Sequence, residues 1–504
     1  MYYRRLYCSM AVLFNRRRFL RGCAGAGVFF VLWSVALVSG EDAFPPSPAK
    51  TWWPPQLGEY EQELAQGTSE YESNRCLALI EPGKVYDLPE LIDIAERSHP
   101  QTRVAWERAR QAARAVGLSE SAYYPYLAAS AGVAFQHSLL VLFDVFPGNV
   151  AAENATLDVK WLLFDFGGRK ATVAAAKEQL MMADVNFNAT HQQIVFAVTK
   201  GFYDFNTARQ KVEVSESALQ AARTVSEAAQ ARFDHGLATK PDVLQAEQQT
   251  AQAAYDLVAA RGDLSDTQVT LMESLGVLPT LQIRVADVAE KRFEENPEEP
   301  LEDLIDRALS QRPDLVAKLA NLRARQEDVR LARSAYYPKI SLEGNAGWSK
   351  LDVNGYDSPY VGNSKPDYGI GLAIDLPIFE GFARANKLRI AKSELREAES
   401  ELTDTRDQAV SQVWQAYTDL KTALRKQESA ETLRSAAQTA FDAALEAYQH
   451  GLGTYVDTQN AQHNLTSARS TVVDTRSAIF TAAAALALSV GDLARPAPHP
   501  KHQP

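Results

Sequence analysis

The stretch Glu-Ser-Ala-Tyr-Tyr-Pro at residues 120–125 returns as Arg-Ser-Ala-Tyr-Tyr-Pro at residues 333–338. A second motif, His-Gly-Leu-x-Thr-x-x-Asp, stands at 235–242 and again at 450–457. Both pairs of motifs are separated by almost the same distance in the chain. The sequence therefore contains an internal duplication of a unit of about 190 residues, which predicts one architecture built from two similar halves.

The first element of each unit is predicted to be a helix, over 88–121 and over 301–334. Both helices are expected to end at Tyr-Tyr-Pro, because a residue that precedes proline is pushed out of the helical region. After this triplet the apolar residues recur with period two, which is typical of strands with one apolar face. In the second unit these strands cover about 340–348 and 370–378, and a polar loop is expected over 350–366.

A very long helix is predicted after each strand pair. No proline or glycine interrupts 384–450, nor 169–235 apart from Gly201. Leu388, Ala391, Leu395, Ala398 and Leu402 step by three and four residues, as in the seam of a coiled coil. At a rise of 1.5 Å per residue each helix reaches roughly 100 Å, a length that globular domains rarely need.

The strands of one chain are too few to close a membrane barrel. The first unit has counterparts of the second unit's strands, at about 126–138 and 157–163, so each chain supplies four strands. A membrane barrel needs about eight or more strands, and three chains together would supply about twelve. The predicted fold class is therefore mainly α with a membrane β-barrel contribution, in which the long helices continue the wall.

The first forty residues predict an export signal. Six arginines precede the apolar run 28–38, and small residues at 38–40 suit cleavage. Arg16-Arg17-Arg18 also fits a twin-arginine pattern, so two export routes stay open. The predicted segments are a signal peptide (1–40), an extended N-terminal arm (41–86), a first repeat (87–280), an acidic linker or equatorial segment (281–300), a second repeat (301–492) and a disordered tail (493–504).

Composition excludes several classes of function. Without the leader, 46 basic residues face 63 acidic ones, and an acidic chain of this kind is a poor nucleic-acid binder. Only Cys76 lies beyond the leader, which excludes a disulfide framework within one mature chain. No nucleotide-binding, metalloprotease or hydrolase motif occurs, so we expect neither an enzyme nor a bound cofactor or metal.

In this order, the motifs resemble the TolC-like outer-membrane efflux proteins over about 88–492. The resemblance rests on the doubled Ser-Ala-Tyr-Tyr-Pro, the two His-Gly-Leu turns, Leu-Phe-Asp-Phe-Gly-Gly-Arg at 163–169 and Leu-Pro-Ile-Phe-Glu-Gly at 376–381. It implies a homotrimer, a twelve-stranded barrel in outer-membrane lipid and a long helical barrel in the periplasm. It also implies a passive exit duct of a tripartite efflux or type I secretion system, coupled to an inner-membrane pump through a periplasmic adaptor protein.

A different class of function stays open at this point. A periplasmic coiled-coil adaptor or scaffold without a pore would explain the long helices, although it would not explain two amphipathic strand pairs. An exported enzyme has no catalytic motif in its favour. The cargo cannot be read from the sequence.

The two turns at 235–242 and 450–457 are the candidate functional site. Gly236 and Gly451 are expected to end the long helices, as glycines do just after a helix C-terminus. The family resemblance assigns Asp457 to an acidic ring at the periplasmic constriction, and it assigns Asp242 to a link with Tyr448. For both aspartates, helix capping is the alternative.

The sequence departs from the best-known family members at two positions of this site. Gly453 stands where a linking arginine is found, and Asn460 stands where a second ring of aspartates is found. The resemblance therefore implies fewer polar links in the closed state and a single acidic ring. His235 and His450 are interpreted as cations near a helix C-terminus, with metal binding as the alternative.

Overall fold

The computed structural model describes residues 57, 59–64, 80–81, 83–141, 145–281, 283–287, 299–355 and 358–493. Its contacts divide the chain into two units, Met1–Ser73 and Asn74–Pro504. In the first unit, residues 59–64 are helical. The predicted signal peptide, most of the predicted arm, residues 288–298 of the linker and residues 494–504 of the tail lie outside the described residues.

The second unit contains both repeats, and their elements follow the same order. The first comprises β1 (Val85–Tyr86), α1 (Leu88–Ser98), α2 (Pro100–Glu120), β2 (Tyr126–Val141), β3 (Val145–Phe164), α3 (Gly168–Asp234) and α4 (Lys240–Leu275). The second comprises β4 (Arg284–Val285), α5 (Leu301–Gln311), α6 (Pro313–Ser334), β5 (Lys339–Gly355), β6 (Ser358–Asp375), α7 (Ala383–Gln449) and α8 (Tyr455–Val490).

The predicted helices over 88–121 and 301–334 are each broken in two, so this prediction was wrong in one respect. His99 and Arg312 have extended backbones, with ψ angles of 126° and 129°. Each precedes a proline, and a pre-proline residue avoids the helical region. The rule that ends these helices at Tyr-Tyr-Pro also interrupts them at Pro100 and Pro313.

Four long strands form one antiparallel sheet in the order β2-β3-β5-β6. β2 and β6 are its outer strands. The predicted polar loop over 350–366 is mostly strand, because β5 reaches Gly355 and β6 begins at Ser358. In β5 the alternation changes phase there, since Leu351 lies on the face opposite to Trp348 while backbone pairing continues. The pattern of one apolar face therefore understated the length of both strands.

The register places most apolar residues of the four strands on one face of the sheet, whereas Leu162 and Leu351 lie on the other. Leu127 lies opposite Val159, Trp161 opposite Leu342, and Leu342 opposite Leu372. These side chains face outward from a single chain, and Ile370 is 79% exposed. The other face carries polar contacts, of which one is the ion pair between Lys160 and Glu343 (2.9 Å). One face therefore suits hydrocarbon and the other suits water.

The predicted long helices are confirmed to within one residue. α3 and α7 each contain 67 residues. Of the predicted seam of α7, Ala391, Ala398 and Leu402 are buried. The buried pattern continues at intervals of seven, four or three residues, at Ala409, Val413, Leu420 and Ala423. Neighbouring long helices follow the order α7-α8-α3-α4, which leaves α7 and α4 at the two outer positions.

Within the described residues, one helix is long and apolar enough to cross a membrane by length and composition. This is α8, which contains an 18-residue window with a mean hydropathy of 1.3. Packing explains part of its apolar character, because α8 lies between α7 and α3 and buries Ile479, Leu486 and Val490, with 28% of the window buried in a single chain. The core helices of soluble proteins meet the same criterion, so α8 carries no argument for a spanning helix.

Candidate functional site: the two helical turns

The turns that follow α3 and α7 reverse the chain at glycines with left-handed backbones. Gly236 has φ of 76° and Gly451 has φ of 77°. In both turns the following leucine closes the helix, since Leu237 N–H donates to the Arg232 carbonyl and Leu452 N–H to the Ala447 carbonyl, both at 2.8 Å. Because only glycine adopts this conformation without a steric cost, the helices end where the sequence predicted.

Both aspartates of the site form capping boxes at the start of the returning helix. Asp242 Oδ2 accepts from the amide of Thr239 at 2.9 Å and from its hydroxyl at 2.8 Å. Asp457 Oδ2 accepts from the Thr454 hydroxyl at 2.6 Å, and Asp457 N–H donates back to that hydroxyl at 3.2 Å. In a single chain the aspartates therefore serve as helix caps, the alternative weighed for each of them.

The predicted hydrogen bond between Asp242 and Tyr448 is not formed in this structure. Tyr448 is 3% exposed, and its hydroxyl is buried without a hydrogen-bond partner. Its ring packs edge-on against Tyr455, with centroids 6.2 Å apart. Burial raises the pKa of both phenols, that of Tyr455 to about 12. Asp242 contributes to both shifts, so its carboxylate is close enough to act on the tyrosines without binding them.

Arg232 is a residue of this site that the sequence reasoning missed. It lies in the last turn of α3, and its Nη1 donates to the backbone carbonyl of Tyr448 in the last turn of α7. Its Nη2 donates to the carbonyl of Leu237 at 3.2 Å. The guanidinium carbon lies 4.7 Å from the centroid of the Tyr448 ring. Since two of these partners are backbone carbonyls, no pairing of side-chain types could have revealed the contact.

The two departures from the family pattern lie in the second turn. Gly453 N–H donates to the Ala447 carbonyl at 3.1 Å. A Cβ at Gly453 would lie 3.2 Å from the Cβ of Ala447 and 3.3 Å from the amide nitrogen of Tyr448. A side chain at Gly453 would therefore press on the end of α7. Asn460 is exposed, and the constriction roles of Gly453, Asn460 and Asp457 stay predictions.

His235 and His450 occupy equivalent places at the ends of α3 and α7. Each is the C-cap residue of its helix, and each is exposed. Among the described residues, no three His, Cys, Asp or Glu side chains are grouped so that they could hold a metal ion. Both histidines therefore lie at the negative end of a helix dipole, where a cation would be stabilised.

Comparison with known proteins places this architecture in a family. The family described as "Outer membrane efflux protein" matches residues 91–277 and 304–492, which are the two repeats. Protein CyaE of Bordetella pertussis is 30% identical over 311 residues, 61% of this chain and 63% of the relative. Outer membrane efflux protein BepC of Brucella suis is 26% identical over 279 residues, 55% of this chain and 58% of the relative. Both alignments span less than two thirds of the relative's own length.

The solved structure of the outer membrane protein VceC from Vibrio cholerae shares the fold. Its TM-score is 0.70 at 22% identity, over 80% of this chain and 96% of that one. The two matched segments coincide with the two repeats, and each contains one of the two turns. The chain belongs to the outer membrane efflux protein family.

Proposed function

We propose that the chain is one subunit of a trimeric outer-membrane exit duct, a passive channel rather than an enzyme. The observation that carries the proposal is the four-stranded sheet, which has one exposed apolar face and, among the described residues, no partner strand at either edge. A sheet of this kind is complete only in lipid and only beside further strands. The printed name of BepC, an outer membrane efflux protein, supports export as the activity.

The height of the apolar face supports insertion in a bilayer. On β6 the outward positions from Pro366 to Ile374 are apolar: Pro366, Tyr368, Ile370, Leu372 and Ile374. At about 3.3 Å per residue this band measures about 26 Å along the strand, or about 20 Å along the membrane normal for a strand tilted by about 40°. Apolar bands of outer-membrane barrels are about 25 Å tall. Beyond it the outward positions become polar, at Lys350 and Ser364.

The outer strands β2 and β6 support assembly with further copies. Unpaired backbone groups are costly in hydrocarbon, so spanning sheets close into barrels. Four strands are too few for closure, whereas three copies supply about twelve. In such a ring β6 of one copy pairs with β2 of the next, which makes the contact head-to-tail.

Two exposed stripes of residues on the outer helices support assembly into the same ring, at positions far from the sheet. α4 presents larger residues, and α7 presents mainly alanines, each at heptad spacing. The exposed stripe of α4 consists of Leu244, Ala251, Tyr255 and Val258. The exposed stripe of α7, which is separate from its buried seam, consists of Leu433, Ala436, Ala440 and Ala443. These helices are the two outer members of the order α7-α8-α3-α4. Large residues on one outer helix facing small residues on the other allow neighbouring copies to pack closely.

The turns are proposed as the periplasmic end of the duct. Leu237 and Leu452 are 68% and 86% exposed at the tips of the two turns. Exposed leucines at the end of a long tube suit contact with another protein, and we assign this role to a periplasmic adaptor that links the duct to an inner-membrane pump. In the trimer, three copies of Asp457 would form an acidic ring that favours cations.

The first experiment is a measurement of mass and conductance on protein extracted from outer membranes in mild detergent. We expect an elongated trimer that conducts in planar bilayers. A soluble monomer that binds no detergent would support the scaffold alternative instead. For the acidic ring, Asp457→Ala should weaken cation selectivity, and unchanged single-channel reversal potentials would count against that role.

Paired substitutions on the two faces of β6 test the sheet directly. Ile370→Arg places a charge at the centre of the apolar band, which costs about 2–4 kcal/mol per chain in barrels. We expect loss of trimers from the membrane fraction. Gly371→Arg is the matched control. Gly371 is the neighbour of Ile370 in β6 but faces the polar side, and no atom lies within 4 Å of a Cβ added there. This variant should keep the trimer and lower the conductance, and equal loss in both variants would contradict the assignment of faces.

A further inference from the structure

The contact of Arg232 joins the last turn of the first repeat's long helix to the last turn of the second's. Its guanidinium touches the Tyr448 carbonyl, the Tyr448 ring and the Leu237 carbonyl. The Tyr448 carbonyl also accepts from Gly451 N–H at 3.1 Å, so it belongs to the second turn's own closure. Arg232 therefore binds the backbone of both turns at the residues that shape them.

The duplication does not require this contact. The position equivalent to Arg232 in the second repeat is Ala447, which has no polar side chain. The first turn therefore holds the second through a residue that only one repeat contains. A cation suits this place, because the last carbonyls of α7 lack partners within the helix and carry the negative end of its dipole.

We propose that Arg232 is a latch that fixes the two turns of one chain relative to each other, so that the tip moves as one body. In the exit duct proposed above, on which this part rests, the latch sets the width of the closed tip. The side chain acts by positioning the turns, and no contact with cargo is involved.

Two unsatisfied atoms lower the stability of the latched arrangement. Arg232 Nε and the Tyr448 hydroxyl are both buried without hydrogen-bond partners. A buried polar atom without a partner raises the free energy of the state that contains it. The latched arrangement is therefore less stable than a fully bonded one, and a partner or a conformational change that gives these atoms hydrogen bonds will favour release.

Distance measurement between the turns tests the latch in the full chain. Leu237 and Leu452, which are both exposed, are replaced by cysteine in a Cys76→Ser background and spin-labelled. The labelled chains are then diluted with unlabelled ones. Pulsed electron resonance should give one narrow distance distribution. Arg232→Ala should broaden it roughly twofold, as expected when one state becomes several, and Arg232→Lys should fall between the two. Arg223→Ala, an exposed arginine of the same helix, should leave the distribution unchanged.

Further variants separate the latch from folding and from channel activity. Tyr448→Phe keeps the ring and the carbonyl, so the narrow distribution should persist. A broad distribution in Tyr448→Phe, or an unchanged one in Arg232→Ala with normal helix content, would overturn the latch. Bilayer recordings on the same samples distinguish the two proposals. A wild-type protein that does not conduct, with Arg232→Ala still broadening the distance, would reject the duct and keep the latch.

Discussion

The turn after α3 and the turn after α7 have nearly the same backbone and different neighbours. Their glycines have φ of 76° and 77°, and the threonines that cap the returning helices both have φ of −94°. The residues common to both turns (glycine, threonine and aspartate) therefore determine the path of the chain. The residues that differ determine the contacts, since Phe233 and Lys240 of the first turn are replaced by the buried Tyr448 and Tyr455 in the second.

The largest difference between the turns should appear at alkaline pH. Burial raises the pKa of Tyr455 from 10 to about 12, and it raises the pKa of Tyr448 in the same direction. At a pH between 10 and 12, the Tyr455 phenol is deprotonated in the unfolded chain and protonated in the folded chain. The free energy of unfolding therefore keeps its full value below pH 10 and falls as the pH rises towards 12. For Tyr455 the loss amounts to roughly 2–3 kcal/mol.

Tyr455→Phe isolates this effect. The measurement is thermal unfolding of the detergent-solubilised protein at a series of pH values from 9 to 12, wild type against variant. The variant should lose less stability above pH 10, and parallel profiles would show that Tyr455 does not titrate as described. Phe233→Leu in the first turn is the control, because neither side chain ionises and the substitution should leave the alkaline slope unchanged.

The elements that the sequence predicted well are those determined by local residues. The two 67-residue helices follow from the absence of proline and from the heptad seam, and the turns follow from Gly236, Gly451 and their capping aspartates. The strands were recognised wherever one face is apolar. Beyond Lys350 the apolar residues change to the other face, starting at Leu351, although pairing continues to Gly355, so the pattern of a single apolar face no longer marks the strand.

The parts of the site that were missed depend on long-range contacts. Arg232 binds a backbone carbonyl that lies 216 residues away in the chain. Because every residue has a backbone carbonyl, the residue type of the partner does not reveal this contact. The link from Asp242 to Tyr448 was predicted from the family, whereas in this chain Asp242 bonds its own cap residue, three positions away. This contact needs only the first turn of α4, so it does not depend on any distant part of the chain.

The glycines should respond equally in the two turns. Gly236→Ala and Gly451→Ala each force a Cβ into the left-handed region, at a cost of roughly 1–2 kcal/mol. An added Cβ meets nothing within 4 Å at Gly236 and only Arg232 at 3.6 Å at Gly451, so steric crowding adds little in either turn. Hydrogen exchange of the peptides that cover each turn measures the local opening.

The control for the glycines is Gly262→Ala in the middle of α4. This glycine is helical, and an added Cβ meets no atom within 4 Å. The substitution should slow exchange, because alanine is favoured over glycine in a helix by about 0.5–1 kcal/mol. If the turn glycines behaved like Gly262, the left-handed backbone would not be what selects glycine in the turns.

The smallest expected difference lies between the two threonine caps. The Thr454 hydroxyl donates to Asp457 and accepts from its amide. In the first turn the Asp242 amide lies 3.1 Å from the carbonyl of Thr239, and the Thr239 hydroxyl donates to the carboxylate. Thr454→Ala should therefore cost about 1 kcal/mol and Thr239→Ala about half as much. Hydrogen exchange in the first turns of α8 and α4 measures both costs, and equal costs would show that the two boxes are energetically alike despite their different hydrogen bonds.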